Sequence, residues 1–219
     1  MRILLVEDDA VLGDGLSTGL RLGGHTVDWL DDGRAALDAL DGDRFCAVVL
    51  DVVLPGASGL EVLRGWRTHR RRDVPVLVLT ACPSDEGCIA ALDGGADDYL
   101  VKPVDLDVLE ARLRAIVRRA AGRTDNALRC GALAVERAGR TVHLDGRPVS
   151  LSAYEFRVLE MLIERPGGIV DRERLQAGLY GWGEEPASDS LRVLVHKLRR
   201  KIGAHRIETV RGAGYRLAP

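Results

Sequence analysis

The chain has 219 residues, with 33 acidic and 31 basic side chains, a formal net charge of −2 and 46% hydrophobic residues. That length suits two modest domains, and this apolar content is enough to form a core in each. No apolar run approaches the roughly 18 residues of a membrane helix, so we expect no membrane partner. Because Glu7, Asp8 and Asp9 interrupt the apolar N-terminal stretch, we also expect no signal peptide, and therefore a cytoplasmic protein.

Strand and helix patterns alternate through the first half of the chain. Short apolar runs predict strands at 3–6, 26–30, 47–51, 76–80 and 98–101. Apolar residues at helical spacing predict helices at about 11–20, 34–40, 58–66, 85–92 and 106–117. Five such units favour an α/β fold, a five-stranded, doubly wound parallel sheet with helices on both faces.

Polar side chains follow four of these strands. Glu7 and Asp8 follow the first strand, Asp51 ends the third, Thr80 ends the fourth and Lys102 follows the fifth. The carboxyl ends of parallel strands meet at one edge of a sheet, where ligands bind. Three carboxylates repel one another unless a cation compensates, and Mg2+ prefers such oxygen ligands. A nucleophilic carboxylate, an ammonium and a hydroxyl together predict a phosphoryl-transfer site.

These motifs resemble the receiver domain of bacterial response regulators. They are Val-Glu-Asp-Asp at 6–9, Leu-Asp at 50–51, Leu-Thr-Ala at 79–81 and Gly-Ala-Asp-Asp-Tyr-Leu-Val-Lys-Pro at 95–103. The resemblance implies that a sensor histidine kinase phosphorylates Asp51. It implies Mg2+ ligands in Glu7, Asp8, Asp51 and the carbonyl of Val53, phosphoryl-binding roles for Thr80 and Lys102, and a switch role for Tyr99. Asp9 is expected to begin the first helix instead of binding metal.

The same resemblance implies a homodimer through the fourth helix, fifth strand and fifth helix. Its salt-bridged face would use Asp97, Asp98, Arg112, Arg114 and Arg118. The family often has a basic residue at position 88, paired across the dimer with an acid near Asp107. This chain has Cys88 there, so we expect a weaker dimer.

The charge balance reverses between the two halves. Residues 1–122 contain 21 acidic and 14 basic side chains, a net charge of −7, whereas residues 123–219 contain 12 and 17, a net charge of +5. A basic second half suggests an anionic partner. The polar stretch 118–126 lacks apolar periodicity. We therefore predict a first domain at 1–120, a linker at 121–126 and a second domain at 127–219.

The second domain is expected to combine short strands with three helices. Strands are predicted at 128–136, 141–144 and 148–151, and a capping box of Ser152 and Glu155 begins a helix. A second helix is predicted at 171–180 and a third at 190–202, followed by a hairpin whose basic tip contains Arg211. In the third helix Leu191, Val195, Leu198 and Ile202 form an apolar stripe, opposite a face rich in cations.

This half resembles the winged helix-turn-helix of OmpR/PhoB-type regulators, nearest to the PmrA/QseB-like branch. The motifs are Leu-Arg-Arg-Lys-Ile-Gly at 198–203 and Thr-Val-Arg-Gly-Ala-Gly-Tyr-Arg at 209–216. The resemblance implies that the third helix enters the major groove of double-stranded promoter DNA and the hairpin the minor groove. The implied contacts are Arg192, His196, Lys197, Arg199, Arg200, Arg211 and Tyr215. The loop at 182–186 would face RNA polymerase.

The sequence thus predicts a response regulator transcription factor that is phosphorylated on Asp51, dimerises and binds tandem half-sites. It would catalyse only its own phosphoryl uptake and loss. One alternative is a phosphorylation-independent DNA-binding regulator whose receiver is a docking or dimerisation module. Another is a Mg2+ phosphohydrolase, which commonly needs a second Asp where this chain has Val53.

The four cysteines contain no CxxC pair. Cys82 and Cys88 are six residues apart, a poor metal spacing, so free thiols are expected instead of a metal or redox site. Cys46, at the start of a strand, is expected to be a small core residue.

Overall fold

The computed structural model describes residues 1–42, 45–68, 74–81, 85–122, 127–137, 139–182 and 191–218. The chain divides into two compact units, Met1–Thr124 and Asp125–Pro219. Within the described ranges, no helix is both long enough and apolar enough to span a bilayer.

The first unit is a parallel sheet of five strands in the order β2-β1-β3-β4-β5. The strands are β1 Arg2–Val6, β2 Thr26–Leu30, β3 Ala47–Asp51, β4 Val76–Thr80 and β5 Asp98–Val101. The helices are α1 Ala10–Leu22, α2 Gly33–Gly42, α3 Gly59–Thr68, α4 Asp85–Asp93 and α5 Leu106–Ala120. The predicted doubly wound sheet is confirmed, with small shifts at the ends of several helices.

Two apolar layers cover the faces of this sheet. Alternate side chains of β1, β3 and β4 pack against α2, α3 and α4 on one face, and the intervening side chains pack against α1 and α5 on the other. Every residue of these three strands is buried. Burial on both faces explains why the strands are continuous apolar runs instead of alternating ones. Polar groups are therefore confined to the strand ends.

Two helix starts lie beside those strand ends. Asp9 is the N-cap of α1, as predicted, because its carboxylate accepts from the backbone N–H groups of Val11 and Leu12 at 2.9 and 3.0 Å. At the start of α3, Ser58 and Glu61 form a reciprocal pair in which the Ser58 N–H donates to Glu61 Oε2 at 2.8 Å. These caps fix where α1 begins after Glu7 and Asp8, and where α3 begins after the loop that follows Asp51.

The described part of the second unit contains two antiparallel sheets and three helices, of which α6 precedes β10 and α7 and α8 lie between β10 and β11. One sheet has the order β6-β7-β8-β9 and the other β10-β12-β11. The strands are β6 Ala127–Cys130, β7 Leu133–Glu136, β8 Thr141–Leu144, β9 Arg147–Pro148, β10 Val170–Asp171, β11 Ile207–Val210 and β12 Gly214–Leu217. The helices are α6 Ala153–Ile163, α7 Arg172–Leu179 and α8 Leu191–Ile202, and a 3-10 turn at Ala204–Arg206 precedes β11.

Two strand predictions in this unit are wrong. The stretch 128–136 is a hairpin of β6 and β7, because the chain turns at Gly131, whose φ is 55°. The strand expected at 148–151 is only the two-residue β9, since the following residues lead into the cap of α6. The linker residues 123–126 lie outside the described part of the chain.

The predicted capping box of α6 is confirmed. Ser152 Oγ accepts from the Glu155 N–H at 3.3 Å, and Glu155 Oε2 accepts from the Ser152 N–H at 2.7 Å. The same carboxylate oxygen accepts from Lys201 Nζ at 2.6 Å, which ties the end of α8 to the start of α6. The buried Glu155 side chain thus has a partner in each helix.

Candidate functional site

The register of the sheet brings the predicted polar side chains together. Val6 is paired with Leu50, so Glu7 and Asp51 follow at the same level of neighbouring strands. Asp51 is paired with Leu79, so Thr80 lies one residue beyond it on β4. The Lys102 N–H donates to the Thr80 carbonyl at 2.8 Å, which holds Lys102 at this edge. We call this group of side chains, with Asp8, the carboxylate pocket.

One ammonium joins two carboxylates of the pocket. Lys102 Nζ donates to Glu7 Oε1 at 2.8 Å and to Asp51 Oδ2 at 2.9 Å. Glu7 is fully buried and Asp51 is 4% exposed, whereas Asp8 is exposed. Carboxylate oxygens of Glu7, Asp8 and Asp51 lie within 4.8 Å of one another. Among the described groups of this cluster, Glu7 and Asp51 therefore share one ammonium, and the Asp8 carboxylate lies close to both.

Burial and charge shift the pKa of two pocket groups. Burial raises the pKa of Glu7, and the negative charge of Asp51 adds to this effect, although the hydrogen bond from Lys102 opposes it. For Lys102, burial alone would lower the pKa, but hydrogen bonds to Glu7 and Asp51 outweigh burial and raise it. Lys102 therefore remains a permanent cation in the pocket.

The donor set of the pocket fits a hard divalent cation. Glu7 Oε2 is buried and has no hydrogen-bond partner in the described structure. An unpartnered buried carboxylate oxygen is costly, and a metal ion would satisfy it. Carboxylate and backbone oxygens are the ligands that Mg2+ prefers.

Two contacts that support the pocket were not predicted from the sequence. The Trp29 indole Nε1 donates to the Glu7 carbonyl oxygen at 2.9 Å, and its ring occupies the space above Gly13, where a Cβ would lie 2.2 Å from Cζ2. A Cβ on Gly59 would lie 1.9 Å from the Asp51 carbonyl oxygen, so only glycine lets α3 begin so close to β3. Gly13 and Gly59 were visible in the sequence, but nothing there indicated that Gly13 lies against the Trp29 ring or Gly59 against the Asp51 carbonyl.

The remaining predicted pocket residues have different environments. Thr80 is buried at 6% exposure, whereas Val53, whose carbonyl was predicted as a metal ligand, exposes 67% of its surface. Tyr99 is half-buried and packs against the layer formed with α2, α3 and α4. Val53 offers no carboxylate, so the second acid that a phosphohydrolase commonly needs is absent from that position.

Most of the predicted dimer residues form ion pairs within this chain. Asp97 accepts from Arg67 Nη2 at 2.9 Å and from the Val76 N–H at 2.8 Å. Arg112 Nη1 donates to both carboxylate oxygens of Asp98 at 3.0 Å. Further along α5, Arg114 contacts Glu110 at 3.3 Å, and Arg118 is half-buried. A symmetric interface would therefore require these ion pairs to exchange partners.

In the second unit, α8 separates an apolar and a cationic side as predicted. The stripe of Leu191, Val195, Leu198 and Ile202 is buried. The exposed residues are Arg192, Val193, His196, Lys197, Arg200 and Lys201. Arg211 is exposed in the turn of the β11–β12 hairpin. We call Arg192, His196, Lys197, Arg200 and Arg211 the cationic face.

Two residues predicted to contact DNA have other partners. Tyr215 is only 3% exposed and belongs to the apolar core of the unit, so its ring cannot serve as a surface contact. Arg199 is half-buried, and its guanidinium donates to the Ile207 carbonyl and to Thr209 Oγ1. The sequence motif gave their positions in the chain but not the direction of their side chains.

One cation near the hairpin was missed. Arg172, exposed at the start of α7, lies over the Tyr215 ring with 5.8 Å between its Cζ and the ring centroid. The strand pair β10–β12 explains this proximity, because Val170 pairs with Tyr215. Long-range pairing of this kind left no local signal in the sequence.

Several predictions concern residues whose placement is not described. Cys82 and positions 183–186 of the proposed polymerase loop lie outside the described ranges, while Trp182 is exposed at their border. Cys88 is buried in α4. Cys46 is exposed instead of being a core residue, because the buried positions of β3 begin only at Ala47.

Comparison with known proteins gives matches to both units. Residues 3–114 match the family model of the response regulator receiver domain, and residues 146–217 match that of the C-terminal domain of transcriptional regulatory proteins. The response regulator PmrA of Pseudomonas aeruginosa is 49% identical over 98% of this chain and 97% of its own. QseB of Escherichia coli O157:H7 is 44% identical over 99% of both chains.

A solved structure agrees with the first of these matches. The BeF3-activated receiver domain of Klebsiella pneumoniae RstA is 32% identical, with a TM-score of 0.51 over 54% of this chain and 99% of its own. The five-stranded sheet with its pocket, the helices and hairpin of the second unit, and near full-length relatives all agree. The chain belongs to the OmpR/PhoB-type response regulators, with a receiver domain followed by a DNA-binding domain, and within them it is similar to PmrA and QseB.

Proposed function

We propose that this chain is a transcription factor that a sensor histidine kinase phosphorylates on Asp51 and that then binds promoter DNA as a homodimer. The observation that carries the proposal is the contact of Lys102 Nζ with both Asp51 Oδ2 and Glu7 Oε1 beside the exposed Asp8. An ammonium fixed next to a carboxylate that ends a central strand suits transfer of a phosphoryl group to that carboxylate. Such a function would be carried out in the cytoplasm.

In the proposed reaction, an Asp51 oxygen attacks the phosphorus of a phosphohistidine donor. The new P–O bond forms as the P–N bond breaks, and the imidazole nitrogen leaves with its electron pair. Lys102 neutralises the oxygens of the arriving group, and the Thr80 hydroxyl holds one of them. Asp51 is thus the catalytic nucleophile of the chain's own modification, and no other substrate is turned over.

Mg2+ would be held by Glu7, Asp8 and Asp51 and by the carbonyl of Val53. The free Glu7 Oε2 and the close approach of the three carboxylates support this donor set. When bound, the ion would neutralise negative charge that accumulates on the phosphoryl oxygens.

Phosphorylation is proposed to favour the dimer through Thr80 and Tyr99. Tyr99 is half-buried, and its packing is proposed to change when Thr80 moves toward a new phosphoryl group. Ile89 and Leu92 on α4 and Val108 on α5 are exposed apolar residues, and a dimer face would cover them. Around them, Asp97, Asp98, Arg112, Arg114 and Arg118 would form the ion pairs between subunits.

The cationic face is proposed to bind the DNA. His196, Lys197 and Arg200 lie on one exposed side of α8, as expected of a helix in the major groove, and Arg211 extends from the hairpin toward the minor groove. Two such surfaces in a dimer would read tandem half-sites. RNA polymerase is proposed as a further partner through the loop at 182–186.

The decisive experiment treats the full chain with Mg2+ and a labelled small phosphodonor such as acetyl phosphate. We expect the wild type to be labelled, Asp51→Asn to remain unlabelled, and the control Asp14→Asn, exposed on α1, to be labelled like the wild type. Labelling should increase both dimerisation, measured by sedimentation, and affinity for a duplex selected by the wild-type chain. Label on Asp51→Asn would contradict the assignment.

The other outcomes separate the alternatives. Equal DNA affinity with and without the label would favour a phosphorylation-independent regulator. Turnover of an ordinary phosphoester would favour a phosphohydrolase, despite Val53.

A further inference from the structure

Arg199 connects the two elements that carry the cationic face. Its Nε and Nη2 donate to the carbonyl oxygen of Ile207 at 2.8 and 2.7 Å, and its Nη2 also donates to Thr209 Oγ1 at 2.9 Å. We infer that Arg199 is a positioning residue that sets the β11–β12 hairpin, and with it Arg211, relative to α8, without binding DNA itself. This inference rests on the proposed DNA-binding function.

The contact uses chemistry that arginine has and lysine lacks. Two nitrogens of one planar guanidinium converge on the same carbonyl, and one of them also reaches the hydroxyl two residues along the strand. A lysine has a single nitrogen on a flexible stem, so it would retain the charge but not this fork. The side chain is half-buried and directed at the hairpin, which leaves it poorly placed for a phosphate group.

The two strands of the hairpin are held by different means. β12 lies in the middle of its sheet and is paired with β10. The backbone of β12 also passes so close to Val170 that a Cβ on Gly214 would lie 2.1 Å from the Val170 carbonyl oxygen. β11 is an edge strand. The described contacts on its outer side include the hydrogen bonds from the Arg199 guanidinium to the Ile207 carbonyl. Loss of Arg199 should therefore loosen β11 more than β12.

The consequence concerns the geometry of the whole cationic face. Arg211 lies two residues after Thr209, whose hydroxyl Arg199 holds. A duplex presents its major and minor grooves at a fixed separation, so a hairpin of fixed orientation binds with less loss of conformational freedom than a mobile one. Arg199 would supply that fixed orientation.

The first test measures hydrogen exchange of the β11 amides in the free full-length chain. Arg199→Lys retains the charge and should increase exchange at residues 207–210. Arg200→Lys, an equivalent change at the next, exposed position of α8, should leave it unchanged. Thr209→Val removes only the hydroxyl and should increase exchange partly, whereas Thr209→Ser should behave as the wild type. Unchanged exchange in Arg199→Lys would overturn the inference.

The second test uses a double-mutant cycle with a duplex selected by the wild-type chain. Arg199→Lys should weaken binding about fivefold or more, the lower range for loss of one specific contact. In an Arg211→Ala background the same change should have almost no effect, because Arg199 acts through the hairpin. An equal loss in both backgrounds would overturn the inference, since Arg199 would then touch DNA directly. A wild type that binds no duplex would overturn the proposed function, and the exchange measurement would still decide the role of Arg199.

Discussion

The carboxylate pocket and the cationic face both depend on charged side chains, but they expose them to water to very different degrees. In the pocket, Glu7 and Asp51 are buried and share the Lys102 ammonium at hydrogen-bond distance. On the cationic face, Arg192, Lys197 and Arg200 are exposed to solvent. The first arrangement is fixed by three strand ends, whereas the second is a surface of one helix and one turn.

This difference has a physical cause and a functional result. A buried charge loses its hydration, so it is tolerated only with a fixed partner, as Lys102 is for Glu7 and Asp51 in the pocket. Exposed charges are hydrated and screened by salt, so each contributes little to folding and remains available for a polyanion. Mutations in the pocket should affect folding and chemistry together, whereas those on the cationic face should affect binding alone.

The largest expected effect is that of Gly59→Ala. The new Cβ would lie 1.9 Å from the Asp51 carbonyl oxygen and 3.0 Å from the Val52 Cα, and backbone cannot move aside as a side chain can. We expect the free energy of unfolding to fall by about 3 kcal/mol, with loss of Asp51 phosphorylation. Urea denaturation measures the first and label incorporation the second.

A matched glycine provides the control for this change. Gly15 is in α1, and a Cβ there would have nothing within 4 Å. Gly15→Ala should raise the unfolding free energy by up to about 1 kcal/mol, since alanine favours helix. Similar effects of the two substitutions would show that the close approach of α3 to Asp51 is not what requires Gly59.

Lys102→Met should have the next largest effect. It leaves Glu7 and Asp51 buried without their cation, which we expect to lower the unfolding free energy by about 2–3 kcal/mol, somewhat less than for a fully buried pair. Mg2+ should raise the melting temperature of this variant more than that of the wild type. Arg119→Met, exposed at the end of α5, should change stability by about 0.5 kcal/mol or less. Equal responses to Mg2+ would argue against charge compensation.

Arg211→Ala tests the other side of the comparison. Because Arg211 is exposed, its loss should leave the unfolding free energy nearly unchanged but weaken DNA binding by about 1–3 kcal/mol. Fluorescence anisotropy over a salt series measures the affinity. The control Arg129→Ala, exposed on β6, should bind as the wild type. An unaltered affinity in Arg211→Ala would remove the hairpin from the interface.

The smallest expected effect concerns Glu155, a buried charge within the DNA-binding unit. Although burial raises its pKa, hydrogen bonds from Lys201 and the Ser152 N–H outweigh burial and lower the pKa below its usual value. A carboxyl whose pKa is lowered on folding stabilises the protein above its unfolded pKa of 4.5, and this contribution is lost as pH falls through the lower folded value.

Glu155→Gln keeps the capping box but removes the charge. At neutral pH we expect it to lower the unfolding free energy by about 1 kcal/mol. Denaturation at decreasing pH should show the difference from the wild type shrinking below about pH 4.5. A difference that is constant with pH would mean that the Lys201 contact contributes nothing through charge.

The positions of the pocket side chains were easier to predict from the sequence than those of the cationic face, because a local pattern marks them. Glu7, Asp51 and Thr80 each end an apolar run, and parallel strands necessarily place such ends together. On α8 the buried stripe followed from helical spacing alone. Arg199 and Tyr215, which were predicted to contact DNA, both turn toward partners that only the folded hairpin supplies, and no local pattern in the sequence indicated this.

The hairpin of β6 and β7 was missed although a signal was present. The buried residues are Leu128 and Cys130, then Leu133 and Val135, so the two-residue spacing of a strand is broken by one extra residue at Gly131. Trp29 had no such signal. Its indole meets Glu7 through pairing of β1 with β2, which places Leu5 beside Trp29.

The position of Trp29 gives the molecule an intrinsic optical reporter. Its N–H is bonded to the carbonyl of Glu7, while Trp66 donates to the carbonyl of Ala36 in another layer and Trp182 belongs to the other unit. Indole emission depends on such polar contacts, so cation entry beside Glu7 should alter the spectrum of Trp29 selectively. Cation binding to the carboxylate pocket should then be measurable by titration of Trp29 fluorescence, without any attached dye.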